Sequence, residues 1–321
     1  MIDTVAISVG LDSVEAVLRE ELARGQERAE TLVPIMRHLL VNDSTSIFSD
    51  EVVAGVRGMM ASIAGELQDR FGDAESNGDH GDERGDQIFE LTGALVENFA
   101  LVEHLHALAL EWQWTRQLQS RMGVDQVLSP LLQELIASQA DATSVIAMKL
   151  LASQARFCQS QRRMQLSLFE LPGDLLHAAL IAMRTVAGTD PDADECAAAA
   201  EAAIRREYDE AASRLGLLTR LVDSLGGGAL AALSLSHAGP AMFLSALAIG
   251  SGQDRARTVL STDEGQAIRL ALGLRAAGLK PKGVEEQMLS LHPNFMLPEG
   301  FDRLNSDRAA AMLSLVSYRE R

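Results

Sequence analysis

The stretch Asp190-Pro191-Asp192-Ala193-Asp194-Glu195-Cys196-Ala197-Ala198-Ala199-Ala200 reads as the opening of a helix. Asp190 is an N-cap residue, Pro191 fits the first helical position, and Asp192, Asp194 and Glu195 complement the positive helix end. The same signs recur at Ser129-Pro130, and at Ser49 followed by Asp50 and Glu51. Outward from these starts, apolar residues return at helical spacing nearly everywhere. Val14, Val17, Leu18 and Leu22 predict a first helix, and Leu32, Met36, Leu39 and Leu40 a second. Val52, Val56, Met59, Met60, Ile63 and Leu67 predict a third, ending near Phe71. A long helical pattern runs over residues 87–122, and further helices are expected near 142–167, 173–187 and 191–214. Only Val5, Ile7 and Val9 alternate as a strand would, over too short a run to establish one. The predicted fold class is all-α.

Beyond Leu215 the helical segments shorten to roughly ten residues, a common length for packed helices. They are punctuated by Gly226-Gly227-Gly228, Gly239-Pro240, Gly250-Ser251-Gly252, Gly278 and Pro281. This pattern predicts a packed, solenoid-like array in the C-terminal part, though no strict internal repeat is present. Residues 72–86, GDAESNGDHGDERGD, contain no aliphatic side chain beyond one alanine and are read as an acidic flexible linker. The expected organisation is an N-terminal helical segment over 1–71, the linker over 72–86, and a helical array over 87–321 with a subdivision near 189.

The chain has 321 residues, with 45 acidic against 28 basic side chains and a formal net charge of -17. That balance disfavours a nucleic-acid partner, which needs Lys and Arg to displace counterions. Cys158 and Cys196 form no CxxC pair and no disulfide framework. The start Met1-Ile2-Asp3-Thr4 lacks a cationic secretory leader, so a reducing cytoplasm is the expectation. Residues 224–253 hold no Asp, Glu, Lys or Arg, but Gly239-Pro240 divides them and Ser234, Ser236, His237 and Ser245 dilute them. Two buried helices are expected there, with no membrane span.

The string His237-Ala238-Gly239-Pro240-Ala241-Met242-Phe243-Leu244-Ser245-Ala246-Leu247-Ala248, followed by Arg275-Ala276-Ala277-Gly278-Leu279-Lys280-Pro281, resembles the tail of a bacterial family of all-helical, HEAT-like proteins of unknown function. The resemblance spans about residues 190–290 and rests on small and apolar side chains. It implies a bacterial, cytoplasmic, helical protein and carries over no catalytic residue.

Several patterns admit both a catalytic and a structural reading. Asp73, Glu75, Asn77, Gly78 and Asp79 follow a calcium loop, but Arg84 stands where the bidentate glutamate belongs. Asp190, Asp192, Asp194 and Glu201 imitate the same loop with Glu195 at its obligatory glycine, so capping is the better reading. Glu103 and His106 supply half of a di-iron carboxylate pattern, and Asp174 and His177 a degenerate second half. His106 lies on the apolar stripe of Ile88, Leu95, Phe99 and Val102, whereas His104 faces the other way beside Glu97 and Glu111. There is no GxSxG, HExxH or GxxxxGK[ST] motif, and both cysteines are read as inert buried thiols. No cofactor is expected. Trp112 and Trp114 face different directions, either closing the core at a helix end or placing one ring at an interface.

One charge pattern is informative. Residues 142–169 contain no Asp or Glu, while Lys149, Arg156 and Arg163 recur every seven residues, close to one helix face. Such a ridge either pairs with acidic helices of its own chain, near Glu201, Glu207 and Glu210, or binds an acidic or phosphorylated protein partner. The functional expectation is a non-catalytic scaffold or regulatory adaptor, with a homo-oligomer left open. The alternative is a helical metalloenzyme around Glu103, His106, Asp174 and His177.

Overall fold

A computed structural model describes residues 2–41, 50–74, 81–188 and 190–317, and among them the secondary structure is helical throughout, with no strand. The α-helices in chain order are α1 (Ile2–Val41), α2 (Asp50–Ala74), α3 (Gly81–Val96), α4 (Phe99–Met122), α5 (Pro130–Ile136), α6 (Asp141–Arg162) and α7 (Gly173–Ala187). They are followed by α8 (Pro191–Glu207), α9 (Arg214–Ser224), α10 (Leu235–Ser251), α11 (Arg255–Leu260), α12 (Ala267–Ala276), α13 (Pro281–Leu291) and α14 (Ser306–Ser317). The all-α expectation holds.

The predicted caps are where the sequence places them. Ser129 accepts from the Leu132 N–H at 3.2 Å with Pro130 at the start of α5, and Asp190 accepts from the Ala193 N–H at 3.3 Å with Pro191 at the start of α8. Ser49 lies outside the described residues. Other expectations are corrected. The strand-like run Val5, Ile7 and Val9 is helical, and the first two predicted helices are one helix, α1, which continues through Pro34. The pattern over 87–122 is broken into α3 and α4 by Asn98, whose side chain accepts from the Leu101 N–H at 2.9 Å and so caps α4. The linker read over 72–86 is helical at both ends, since α2 runs to Ala74 and α3 starts at Gly81; residues 75–80 lie outside the described residues.

The chain packs as two compact units assembled from non-contiguous segments, rather than in the sequential blocks that composition suggested. The first comprises Met1–Leu32, Thr115–Ala147 and Leu218–Arg321, and the second Val33–Trp114 and Met148–Leu217. In the first unit α12 packs on α10, α13 and α14, and α10 also packs on α5, α11 and the 3-10 turn Gly226–Leu233. Phe243, Leu244, Leu270, Ala271, Leu272 and Leu274 have no exposed surface there. Arg269 reaches Gln26 at 2.6 Å and Gln253 at 3.0 Å, tying α1 and the end of α10 to α12.

No single helix among the described residues is long and apolar enough to cross a membrane. The Gly226–Leu233 turn and α10 reach the required length and apolarity only together, across a 112° bend. The Gly239-Pro240 division acts inside α10. Gly239 adopts φ 73°, ψ 164°, and its Cα faces the Ser129 side chain that caps α5. A Cβ at Gly239 would stand 2.9 Å from the Ser129 Cβ.

In the second unit α2 packs against α3, α7 and α8, and α3 and α8 each pack against α7. The inward face of α2 is the predicted one: Val56, Met59, Met60, Ile63 and Leu67 are fully buried. At roughly 2 kcal/mol per fully buried aliphatic side chain, this face is a large part of what orders the unit.

Gly239→Ala is expected to destabilise the protein by about 2 kcal/mol, because it adds backbone strain and a clash at once. Gly227→Ala, where an added Cβ meets nothing within 4 Å, should stay within about 0.5 kcal/mol of the parent chain. Chemical denaturation of the two variants checks both values.

Candidate interaction surface and the polar centre beneath it

Helix α6 has two faces of opposite character. Leu150, Ser153, Gln154, Phe157, Cys158 and Gln161 are buried, whereas Met148, Lys149, Ala152, Arg156, Gln159 and Arg163 are exposed. Arg163 directly follows the helix, its N–H bonded to the Ser160 carbonyl at 2.9 Å. With a rise of about 1.5 Å per residue, the three cations of the ridge stand about 10 Å apart along one line.

None of the three forms an ion pair or side-chain hydrogen bond with another described residue. The carboxylates that might have neutralised them are engaged elsewhere in the same unit. Glu201 pairs with Arg205 at 2.8 Å and Arg184 at 3.6 Å, Asp194 with Arg184 at 2.6 Å, and Glu207 with Arg70 at 2.7 Å. Glu210 has an oxygen 3.0 Å from where a Gly173 Cβ would stand, beside the Tyr208 hydroxyl.

The buried face of α6 holds a polar centre that sequence reading missed. Arg214, at the start of α9, is 2% exposed, and Glu111 on α4 is 1% exposed; the two form a buried ion pair through the Arg214 Nη2 and Glu111 Oε1. A second Nη donates to Glu111 Oε2 at 3.5 Å, and Nε donates to Gln154 Oε1 at 2.7 Å. The guanidinium carbon lies 3.7 Å from the centroid of the Phe157 ring, a cation–π contact. Glu170 accepts from the Arg214 backbone N–H at 2.8 Å, which satisfies one orphan donor of α9. Gln154 in turn donates to Cys158 Sγ at 3.7 Å. Burial pushes the Cys158 thiol up, opposed by the nearby Arg214 cation, so it is a poor nucleophile at neutral pH.

The end of α6 is anchored on α2. Glu66 accepts from the Ser167 hydroxyl at 3.2 Å and the Leu168 N–H at 2.7 Å. Gln161 reaches Met59 Sδ at 3.1 Å. Gly58 lets the chain pass close by: a Cβ there would stand 2.5 Å from the Met164 carbonyl oxygen, at a residue that itself has φ 55°. Together these contacts fix both the rotation and the end of α6, and hence the direction of the ridge.

The other candidate residues are not drawn into a site. His106 is 2% exposed, as its stripe predicted, and burial pulls its pKa down to about 4, so the imidazole is neutral at pH 7. Glu103 is half-buried, Asp174 and His177 are exposed, and His177 Nδ1 lies 2.7 Å from Arg205 Nη2. A guanidinium at that nitrogen competes with any metal there. Among the described residues no three His, Cys, Asp or Glu side chains gather as a ligand set.

On the face opposite His106 the structure differs from the expectation at one point: Glu111 turns into the protein, while Glu97 pairs with Arg37 at the surface. Trp112 is buried and Trp114 half-buried. Cys196 is half-buried rather than buried. Asp190 and Asp194 serve capping and pairing, in line with the helix-start reading. The first unit holds an open groove of about 580 Å³ whose lining includes Val14, Val17, Glu299, Asp302 and Arg303 but, among the described residues, no Ser, Thr, Cys, Lys or His.

Removing one member of the buried pair leaves an uncompensated charge. Glu111→Leu should therefore cost about 3 to 5 kcal/mol, and the double variant Glu111→Leu/Arg214→Met should cost less than that single change. A double variant as unstable as the sum of its singles in urea titrations would contradict this. His106 adds a pH dependence of known sign. Its folded pKa lies below the ordinary value of 6.5, so its contribution is complete above pH 6.5 and is lost as the pH falls toward 4. Between pH 7 and about pH 4.5 the parent should lose about 2 to 3 kcal/mol more than His106→Leu does. No protein-family model, curated protein or solved structure matches this chain, and its geometry alone supports a functional reading.

Proposed function

We propose that this protein is a non-catalytic scaffold or regulatory adaptor that presents α6 to an acidic or phosphorylated protein partner through Lys149, Arg156 and Arg163. The observation that supports this reading is the ridge itself: three aligned exposed cations without an ion pair among the described residues, in a chain of net charge -17 where Asp194, Glu201 and Glu207 are bound to other arginines. An unneutralised row of like charges stabilises nothing in the fold and repels itself, so its use is at the surface. The rigid placement of α6 over a buried polar centre adds support, because preorganised side chains lose less entropy on binding.

The proposal includes a stacked, solenoid-like arrangement of the short C-terminal helices, as the resemblance of their sequence to HEAT-like helical proteins implies. Extended surfaces of such stacks commonly serve protein recognition. Two cysteines outside any pair motif suit a reducing compartment, and a cytoplasmic location completes the reading.

The test is recovery of partners on the tagged chain from lysate of its own host, at low and raised salt. The comparison is between the parent and the triple variant Lys149→Glu/Arg156→Glu/Arg163→Glu. The variant should keep the parent's melting temperature, since the three side chains are exposed and form no ion pair with another described residue. A near-stoichiometric acidic protein recovered on the parent should fall by about tenfold or more on the variant and with rising salt. Equal recovery on both chains would refute the ridge as the binding element.

A further inference from the structure

Resting on that reading, we infer that the partner segment taken by the ridge is an acidic amphipathic helix, which lies along α6 and sets a carboxylate opposite each of Lys149, Arg156 and Arg163. Three features of α6 point to a helix rather than another anionic ligand. The first is spacing. With Cα atoms about 10 Å apart in succession, and about 20 Å from first to last, the three cations do not all converge on one phosphate group. A second helix with glutamates at seven-residue intervals has the same rise and meets all three at once.

The second feature is the strip beside the cations. In a seven-residue register with Lys149, Arg156 and Arg163 at one flanking position, the seam positions are Met148, Ala152, Ala155, Gln159 and Arg162. Ala152 and Ala155 leave a shallow trough between the longer side chains, which lets two helix axes approach at about 8 to 10 Å. Met148 is 51% exposed at one end of the trough, an unbranched apolar side chain that adapts to what covers it. Flanking charges beside a partly apolar seam are how paired helices choose their partners.

The third feature is the charge of the whole chain. At -17 a second copy of this protein brings its whole acidic excess to the contact, so a different chain whose acidity is confined to one local helix meets less repulsion there. Few cations and a strong net negative charge also exclude a nucleic-acid backbone as the match.

The experiment uses the full chain and a synthetic amphipathic peptide of three heptads, with leucine at its seam and glutamate at seven-residue intervals. A scrambled peptide of identical composition is the control. Fluorescence anisotropy at low salt should give a Kd of roughly 10 to 100 μM for the patterned peptide and about tenfold weaker binding for the scrambled one. Arg156→Glu should weaken the patterned peptide about tenfold. Ala152→Gln, which keeps every cation but fills the trough at an exposed position, should weaken it as well.

Equal affinity for both peptides, or indifference to Ala152→Gln, would overturn the helix inference while leaving an acidic partner on the ridge intact. No binding of either peptide would also overturn it, as would a dimer of the chain alone, in sedimentation, that Arg156→Glu dissolves. Failure of the broader adaptor reading is seen separately, as partner recovery from lysate that charge reversal does not change.

Discussion

The second unit depends on one buried charge being fully answered. Arg214 brings a permanent cation to a place without solvent, where an unpaired guanidinium would cost several kcal/mol. Glu111 neutralises it, Gln154 accepts its Nε–H, and Phe157 covers its face. These partners come from α4 and α6, while Arg214 opens α9. The packing of the three helices is therefore specified by directional contacts as well as by shape. A hydrophobic core of leucines and methionines tolerates small rotations of a helix; a guanidinium held by a carboxylate, an amide and a ring does not. The net stabilisation of such a centre is small or even negative against an apolar replacement, so its role is to select one arrangement.

That selection has a consequence on the opposite face of α6. Gln154 and Phe157 are locked inward, so Lys149, Arg156 and Arg163 are turned outward along one line. The contacts of Glu66 with Ser167 and Leu168 fix the far end of the segment, and the close passage of Gly58 beneath Met164 removes the slack that a side chain there would need. The surface is thus held by its interior. Long basic side chains still lose rotamer entropy on binding, about 2 kcal/mol each at most, but the backbone that carries them loses little.

Local rules explain what was legible in the sequence. Ser129-Pro130 and Asp190-Pro191 announce helix starts through chemistry confined to four residues, and both helices begin there. The inward face of α2 follows from a period of 3.6 alone. What was not legible depends on distance along the chain. Glu111 looks like a surface glutamate until Arg214, 103 residues later, arrives beside it. Asn98 reads as one polar residue on a long helix, and its capping bond to Leu101 is visible only once the chain has turned. Pro34 could have ended α1, but the helix continues through it without the hydrogen bond that its missing N–H would have made. The glycine- and aspartate-rich run over 72–86 suggested a loop by composition, yet its two ends extend α2 and α3. The ridge was legible as a spacing, and its lack of ion-pair partners among the described residues was not, because that depends on which arginines claim Glu201 and Glu207.

The electrostatics of the chain determine what kind of recognition the ridge can perform. At physiological ionic strength charges are screened beyond about 8 Å, a distance shorter than the roughly 10 Å between successive cations of the ridge. The three then act as nearly independent contacts rather than as one diffuse positive field. At longer range an acidic partner meets the net charge of -17 and is repelled, so attraction is gained only when its carboxylates come into register. A surface of this kind gains little in association rate and much in discrimination. An anion of the wrong spacing satisfies one cation, leaves two unanswered, and still bears the repulsion of the acidic chain around it. On the proposed reading, the acidic residues that take no part in caps or ion pairs are what would make the ridge selective.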